Sequence, residues 1–168
     1  MDNKLNVSFL PTIEDYVYMR LERLGLKTSK EIRMFFRIIG IIGFMGGAAG
    51  FLNLRENIVQ IICWILLMIA GLYMLSYYDI IRPSVERNRA VRFFNYNKRN
   101  ICSKNIKLEN GVLTAADELS SISLTGESIY SIEETKNNIF IFYDIENFIY
   151  IPKRSITEKQ KQLILEMK

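Results

Sequence analysis

Two uncharged apolar stretches, separated by a single charged pair, constrain this chain more than any other feature of its sequence. They cover residues 38–54 and 57–78, which makes them 17 and 22 residues long. The hydrocarbon core of a bilayer is about 30 Å thick, so roughly 20 apolar residues in a helix span it. The second stretch is long enough by itself, and the apolar residues 34–36 extend the first. The sequence therefore predicts a two-helix transmembrane hairpin over residues 34–81.

The distribution of charge predicts the orientation of this hairpin. Residues 20–37 carry a net charge of +4 and residues 82–107 a net charge of +7, whereas the link at 55–56 is neutral. Lysine and arginine close to spanning helices favour the cytoplasmic side of the membrane. We therefore expect a multi-pass protein of a bacterial inner membrane, with both termini in the cytoplasm and the 55–56 turn on the outer face.

The first apolar stretch is rich in glycine, and its glycines recur at four-residue spacing. Small residues four apart let two helix backbones approach closely in lipid. Packing against the second helix of the same hairpin is the favoured interpretation, and homo-oligomerisation is the alternative. No ionisable residue lies inside either stretch, which is typical of an anchor and not of a transporter. The predicted helix-packing residues are Gly40, Gly43, Gly46, Gly47 and Gly50.

A basic segment, residues 82–99, follows the second stretch. Pro83 and Ser84 suggest that a new helix starts here and continues to about Lys98. Basic residues beside a spanning helix attract anionic headgroups, at about 1 kcal/mol each. Nucleic acid would suit the same composition, but the position beside the hairpin favours lipid. The predicted contacts with anionic lipid are Arg82, Arg87, Arg89, Arg92, Lys98 and Arg99.

The remaining segments predict cytosolic structure. In residues 1–33, a short strand over 4–10 precedes an amphipathic helix that Thr12 caps. In residues 100–168 the apolar period changes to two, and Asn110-Gly111 predicts a tight hairpin. The strands at 139–143 and 148–151 are apolar on both faces, so both faces should be covered. Ser155 and Glu158 fit a capping box for a final helix.

These patterns together predict an α+β membrane protein. The expected fold is a two-helix transmembrane hairpin with a small antiparallel domain of six strands and a C-terminal helix. That domain looks like a barrel or curled sheet of the pleckstrin-homology (PH-like) type. The alternative is an unrelated antiparallel sheet with one open face.

The hairpin, the strand at 139–142 and the segment that follows the last strand resemble the YcxB-like proteins of bacteria. The most specific residues are Ile151, Pro152, Lys153 and Arg154. The resemblance implies a membrane-anchored, PH-like cytosolic domain and no established catalytic residues. Taken on their own, the same residues predict a strand that stops at Pro152, followed by two surface charges.

The residue content argues against an enzyme. The chain has no histidine and two distant cysteines, so neither histidine-dependent catalysis nor a thiolate zinc site is expected, and we expect no cofactor. Residues 108–151 carry a net charge of −7, which favours a protein over an anionic headgroup as the specific ligand. We expect a non-enzymatic interaction protein. The alternatives are an immunity protein against membrane-active peptides and an accessory subunit of a transporter or signalling complex.

Overall fold

The computed structural model describes residues 5–52 and 58–167. The chain forms two compact units. The sheet unit combines Met1–Glu22 with Arg89–Lys168, and the hairpin unit is Arg23–Asn88. The predicted outer turn at residues 55–56 lies outside the described residues.

Two long apolar helices make up most of the hairpin unit. Helix α2 covers Lys30–Leu52 and helix α3 covers Ile58–Ser76. Both are long and apolar enough to cross a membrane, by length and composition. They pack closely along their lengths, as expected for a hairpin with a short connection.

The chain stays helical after α3, through the proline that was expected to start a new helix. A π-helical segment, Tyr77–Ile81, leads directly into helix α4, Arg82–Asn97. Proline has no N–H to bond to the carbonyl four residues back. Pro83 follows the π-helical segment, where the regular hydrogen bonds to the carbonyl four residues back are already interrupted. The helix therefore continues past Pro83.

A four-stranded antiparallel sheet forms one half of the sheet unit. Its strands are β1 (Leu5–Phe9), β2 (Lys104–Glu109), β3 (Val112–Ala116) and β4 (Ser121–Thr125), in that order across the sheet. Strand β1 is followed by helix α1, Ile13–Lys27. The β2–β3 turn has positive φ angles at Asn110 (53°) and Gly111 (76°), which confirms the predicted hairpin.

A three-stranded antiparallel sheet and a helix complete the unit. The strands are β5 (Ser131–Glu134), β6 (Asn138–Phe142) and β7 (Phe148–Pro152), in the order β5-β6-β7, and helix α5 covers Glu158–Leu165. Every residue of β6 is buried, as its apolar character on both faces predicted.

The predicted capping box of α5 is wrong by two residues. The N-cap is Thr157, whose side chain accepts from the backbone N–H of Gln160, while Gln160 Oε1 accepts from Thr157 N at 2.8 Å. Ser155 instead donates to the Pro152 carbonyl at 2.6 Å, within a 3₁₀ turn over Lys153–Ser155. Ser155 with Glu158 and Thr157 with Gln160 both fit the sequence pattern of a capping box. Because Ser155 belongs to the 3₁₀ turn, Thr157 is the residue that caps α5.

One hydrophobic core lies between the two sheets and α5. The four-stranded sheet contributes a row of paired leucines, Leu5, Leu108, Leu113 and Leu124, each at most 6% exposed. The three-stranded sheet contributes Ile139, Ile141 and Ile151, and α5 contributes Ile164, all fully buried. Strand β1 therefore supplies part of this core, although the sequence placed it in a separate N-terminal segment.

Candidate functional site

A cavity of about 220 Å³ lies where α1, the β5–β6 turn and the end of β7 meet. Ile151, Pro152, Lys153 and Arg154, the residues that carry the resemblance to the YcxB-like proteins, are called the motif below, and the last three of them line this cavity. We call this place the motif cavity. Its walls are mostly polar and charged side chains, and several of them form the hydrogen bonds described below.

Arg154 joins the end of β7 to the start of α1. Its guanidinium donates to both carboxylate oxygens of Asp15, with Nε–Oδ1 and Nη2–Oδ2 distances of 2.9 and 2.5 Å, and to the Leu10 carbonyl at 3.2 Å. Asp15 is only 4% exposed. Its second function is to cap α1, since it accepts from the backbone and hydroxyl of Thr12 at 2.7 and 2.8 Å.

These contacts determine the protonation of Asp15. Burial raises the pKa of a carboxyl group, but the hydrogen bonds from Arg154 and Thr12 together outweigh it, so the pKa of Asp15 lies below its ordinary value. Asp15 is therefore a carboxylate at neutral pH. The Asp15–Arg154 pair is a two-bond, charge-assisted connection between segments 139 residues apart.

Lys153 makes a second connection. Its Nζ lies 2.6 Å from Glu134 Oε1 on β5, and Lys161 of α5 reaches the same oxygen at 3.3 Å. Hydrogen bonds from these two lysines lower the pKa of Glu134. Pro152 ends β7, as predicted, but the structure places the two basic residues after it in specific ion pairs.

Glu22 holds the β5–β6 turn, and the sequence analysis missed it. Its carboxylate accepts from Thr135 Oγ1 at 2.5 Å, from the backbone and side chain of Asn137 at 2.8 and 2.9 Å, and from Asn138 Nδ2 at 2.7 Å. Asp15 and Glu22 are seven residues apart and so share one face of α1. The seven-residue spacing of these two acidic residues was the sequence signal that could have identified Glu22.

An aromatic cluster lies beside the Asp15–Arg154 pair. Tyr150 of β7 is buried against Phe9 and Tyr16, with ring centroids 6.3 and 6.2 Å away. The Lys104 ammonium lies 4.9 Å from the centre of the Tyr150 ring. Burial raises the pKa of Tyr150 and lowers that of Lys104.

The predicted lipid contacts occupy different surroundings. Arg82 reaches Thr28 Oγ1 at 3.5 Å, and its guanidinium lies 5.3 Å from the centre of the Tyr78 ring, so it makes contacts inside the hairpin unit. Arg37 forms a further pair there with Asp79, at 2.7 Å. The other predicted contacts are exposed: Arg87, Arg89, Arg92, Lys98 and Arg99.

The glycines of α2 mostly face α3. A Cβ atom added at Gly40 or Gly47 would lie 2.9 Å from α3 backbone atoms, and one at Gly50 would enter the Trp64 ring. Gly43 has more room, with its nearest neighbour at 3.5 Å, and Gly46 has the most, at 4.0 Å. The closest approach to a backbone atom involves Gly71 on α3, which the sequence analysis did not single out.

These observations define a class of α+β protein with a pair of long apolar helices and a separate unit of two antiparallel sheets. Residues 127–167 match the family model of the YcxB-like protein. The match confirms the resemblance over that segment, which contains β5, β6, β7, α5 and the motif. A search of curated proteins gave no match, and neither did a search of solved structures. Within residues 5–52 and 58–167, no cluster of three or more His, Cys, Asp and Glu side chains could hold a metal ion.

Proposed function

We propose that this chain is a non-enzymatic bacterial membrane protein whose hairpin anchors a PH-like interaction domain at the cytoplasmic face. One observation carries the proposal. In the most apolar windows of the two long helical segments, only 11% and 6% of the residues are buried. A core helix of a soluble domain buries its apolar face, whereas a helix in lipid exposes it.

The layout of the sheet unit supports the PH-like part of the proposal. Four strands followed by three, all antiparallel, enclose one core, and a C-terminal helix contributes to it. The last of these elements lie within the segment that matches the family model. The four-stranded sheet uses β1, so the proposed domain includes the N-terminal strand as well as residues 100–168.

A protein partner fits this unit better than a phosphate headgroup does. The segment from residue 108 to residue 151, which runs from the end of β2 into β7, carries a net charge of −7. Two of the three cations that line the motif cavity are already engaged, since Arg154 pairs with Asp15 and Lys153 with Glu134. The exposed arginines of residues 87–99 and Lys98 would hold the domain near anionic lipid.

Cysteine labelling tests the membrane orientation. With Cys63 and Cys102 both replaced by alanine, single cysteines are introduced as Glu56→Cys and Lys159→Cys. A membrane-impermeant maleimide added to spheroplasts should label the Glu56→Cys chain and leave the Lys159→Cys chain unlabelled. After detergent permeabilisation both should be labelled.

Two controls make this result interpretable. Lys159 is an exposed residue of α5, so its labelling after permeabilisation shows that the thiol is reactive. The chain without cysteine measures the background. Labelling of Lys159→Cys in intact spheroplasts, or recovery of the chain in the soluble fraction, would contradict the proposal.

A further inference from the structure

A second cavity, of about 120 Å³, lies at one end of the core between the two sheets. On the inner face of the four-stranded sheet, Val7, Ile106, Ala115 and Ile122 form one row across the four strands. The first two are buried, but Ala115 is half-buried and Ile122 is 37% exposed. The covering sheet therefore leaves this row open towards β4. Ala115 is small, and the space above it is the cavity.

One part of this cavity suits an apolar group. Ile106, Ile122, Phe148 and Ile149 line that part together with Ala115 and Ala116, and the polar side chains of Lys104, Asp117 and Ser120 line the rest. The one cation there is Lys104, whose ammonium lies over the Tyr150 ring. A second cation entering the cavity would meet this ammonium. The volume suits a single aliphatic side chain and is well below the roughly 300 Å³ of ordinary small-molecule pockets.

Strand β4 forms the rim of the cavity and is the least protected edge strand of the unit. Natural edge strands carry charges or proline, or are covered. Strand β5 carries Glu133 and Glu134, β7 ends in Pro152, and β1 lies against the turn Lys153–Ser155. Strand β4 reads Ser-Ile-Ser-Leu-Thr and has four exposed residues of five. Among the described residues, no strand pairs with its outer edge.

The surroundings of β4 are acidic. Asp117 and Glu118 lie just before the strand and Glu127 lies just after it, and residues 108–135 contain no basic residue. The Asp117 carboxylate is held in place, because its Oδ1 accepts from the backbone N–H groups of Leu119 and Ser120 at 2.9 and 2.8 Å. A ligand that runs along β4 meets negative charge at both ends.

We propose that β4 and the cavity beside it bind an extended segment of a partner protein. The segment adds as a strand to β4, inserts one aliphatic side chain above Ala115 and carries basic residues on either side of it. Main-chain hydrogen bonds and one side-chain pocket are the elements of recognition by strand addition. This inference rests on the proposed function, because it names the partner class of the same interaction domain.

The test uses the full chain in nanodiscs of neutral phosphatidylcholine. The probe is a fluorescent seven-residue peptide of alternating lysine and threonine with one central leucine, and binding is measured by fluorescence anisotropy. A peptide with glutamate for lysine should not bind. A third peptide has the same charge as the probe, but every second backbone amide is methylated. It therefore lacks the N–H donors along one edge of the peptide strand and should bind at least tenfold more weakly than the probe.

Two variants report on the site itself. Ala115→Leu fills the cavity and Ile122→Lys places a charge at its rim, and each should weaken binding of the probe at least tenfold. Asn6→Lys is the matched control, since it adds the same charge on an exposed residue of β1 and should change binding less than twofold. Thermal unfolding of each variant identifies any that fails to fold, and the methylated peptide tests the site without a variant.

Any one of the following outcomes would overturn the inference. The first is equal binding of the methylated and unmethylated peptides, and the second is unchanged binding in both site variants. The third is a disulfide-linked dimer formed by Ser123→Cys in the background without other cysteines, which would make β4 an interface between two copies. If the probe fails while the cysteine labelling gives the expected pattern, the membrane-anchored domain stands and only the β4 site is wrong.

Discussion

Gly71→Ala should destabilise the hairpin unit by about 2–3 kcal/mol, the upper part of the range for overpacked positions. A Cβ atom at Gly71 would lie 2.5 Å from the Phe44 backbone nitrogen and 2.8 Å from the Gly40 carbonyl oxygen. Backbone atoms cannot rotate away as a flexible side chain can, so the two helices must move apart. The loss is expected in thermal unfolding of the full chain in dodecyl maltoside, followed by circular dichroism of the helices.

Gly46→Ala is the control for this substitution. It makes the same chemical change in a helix of the same unit, but the nearest atom to its added Cβ is Leu67 Cδ2, 4.0 Å away. Alanine also has the higher helix propensity, so this variant should be neutral or slightly more stable. Equal midpoints for the Gly71→Ala and Gly46→Ala variants would show that α2 and α3 do not pack as described.

Arg154→Ala should destabilise the sheet unit by about 2–3 kcal/mol, somewhat less than the loss of a partner from a fully buried pair. The reason is asymmetric burial, since the side chain of Asp15 is 5% exposed and that of Arg154 is 51% exposed. Removing Arg154 leaves a buried carboxylate with only Thr12 as a donor. Asp15→Asn leaves a guanidinium that water can reach, so its cost should be smaller, about 1 kcal/mol.

The acid dependence of stability separates these two variants further. The folded pKa of Asp15 lies below 3.8, its ordinary value, so its contribution is fully present above about pH 4. The contribution is lost as the pH falls through the folded pKa. Chemical unfolding between pH 7 and pH 2.5 should show this loss in the wild-type chain and a flatter profile in Asp15→Asn.

The stability of Arg154→Lys should lie between those of the wild-type chain and Arg154→Ala, because lysine keeps the charge but not the two-bond geometry. A larger cost for Asp15→Asn than for Arg154→Ala would contradict the assignment.

The features that the sequence predicted well depend on local rules. Hydrophobic length indicated the two helices, and the conformational needs of Asn110-Gly111 indicated the β2–β3 turn. Thr12 was expected to cap α1 from its spacing alone. In each case the information lies within a few residues along the chain.

The features that the sequence analysis missed depend on distant partners. Nothing near Asp15 shows that it meets Arg154, and nothing near Leu5 shows that β1 pairs with β2. Gly71 is a lone glycine in an apolar helix, and only the position of α2 reveals its role. The capping error has a different cause, because two overlapping patterns compete and a 3₁₀ turn after Pro152 favours the second.

The pairing of β1 with β2 has a consequence for biosynthesis. The two strands are separated by on the order of a hundred residues, and a ribosome needs on the order of ten seconds to translate that length. During that interval Leu5, Val7 and Phe9 have no sheet to enter, although all three are buried in the finished protein. The hairpin helices are translated within the same interval. The four-stranded sheet can therefore close only after both helices have been made, so the nascent N-terminus must stay unpaired, or be held by another molecule, until the helices have left the ribosome.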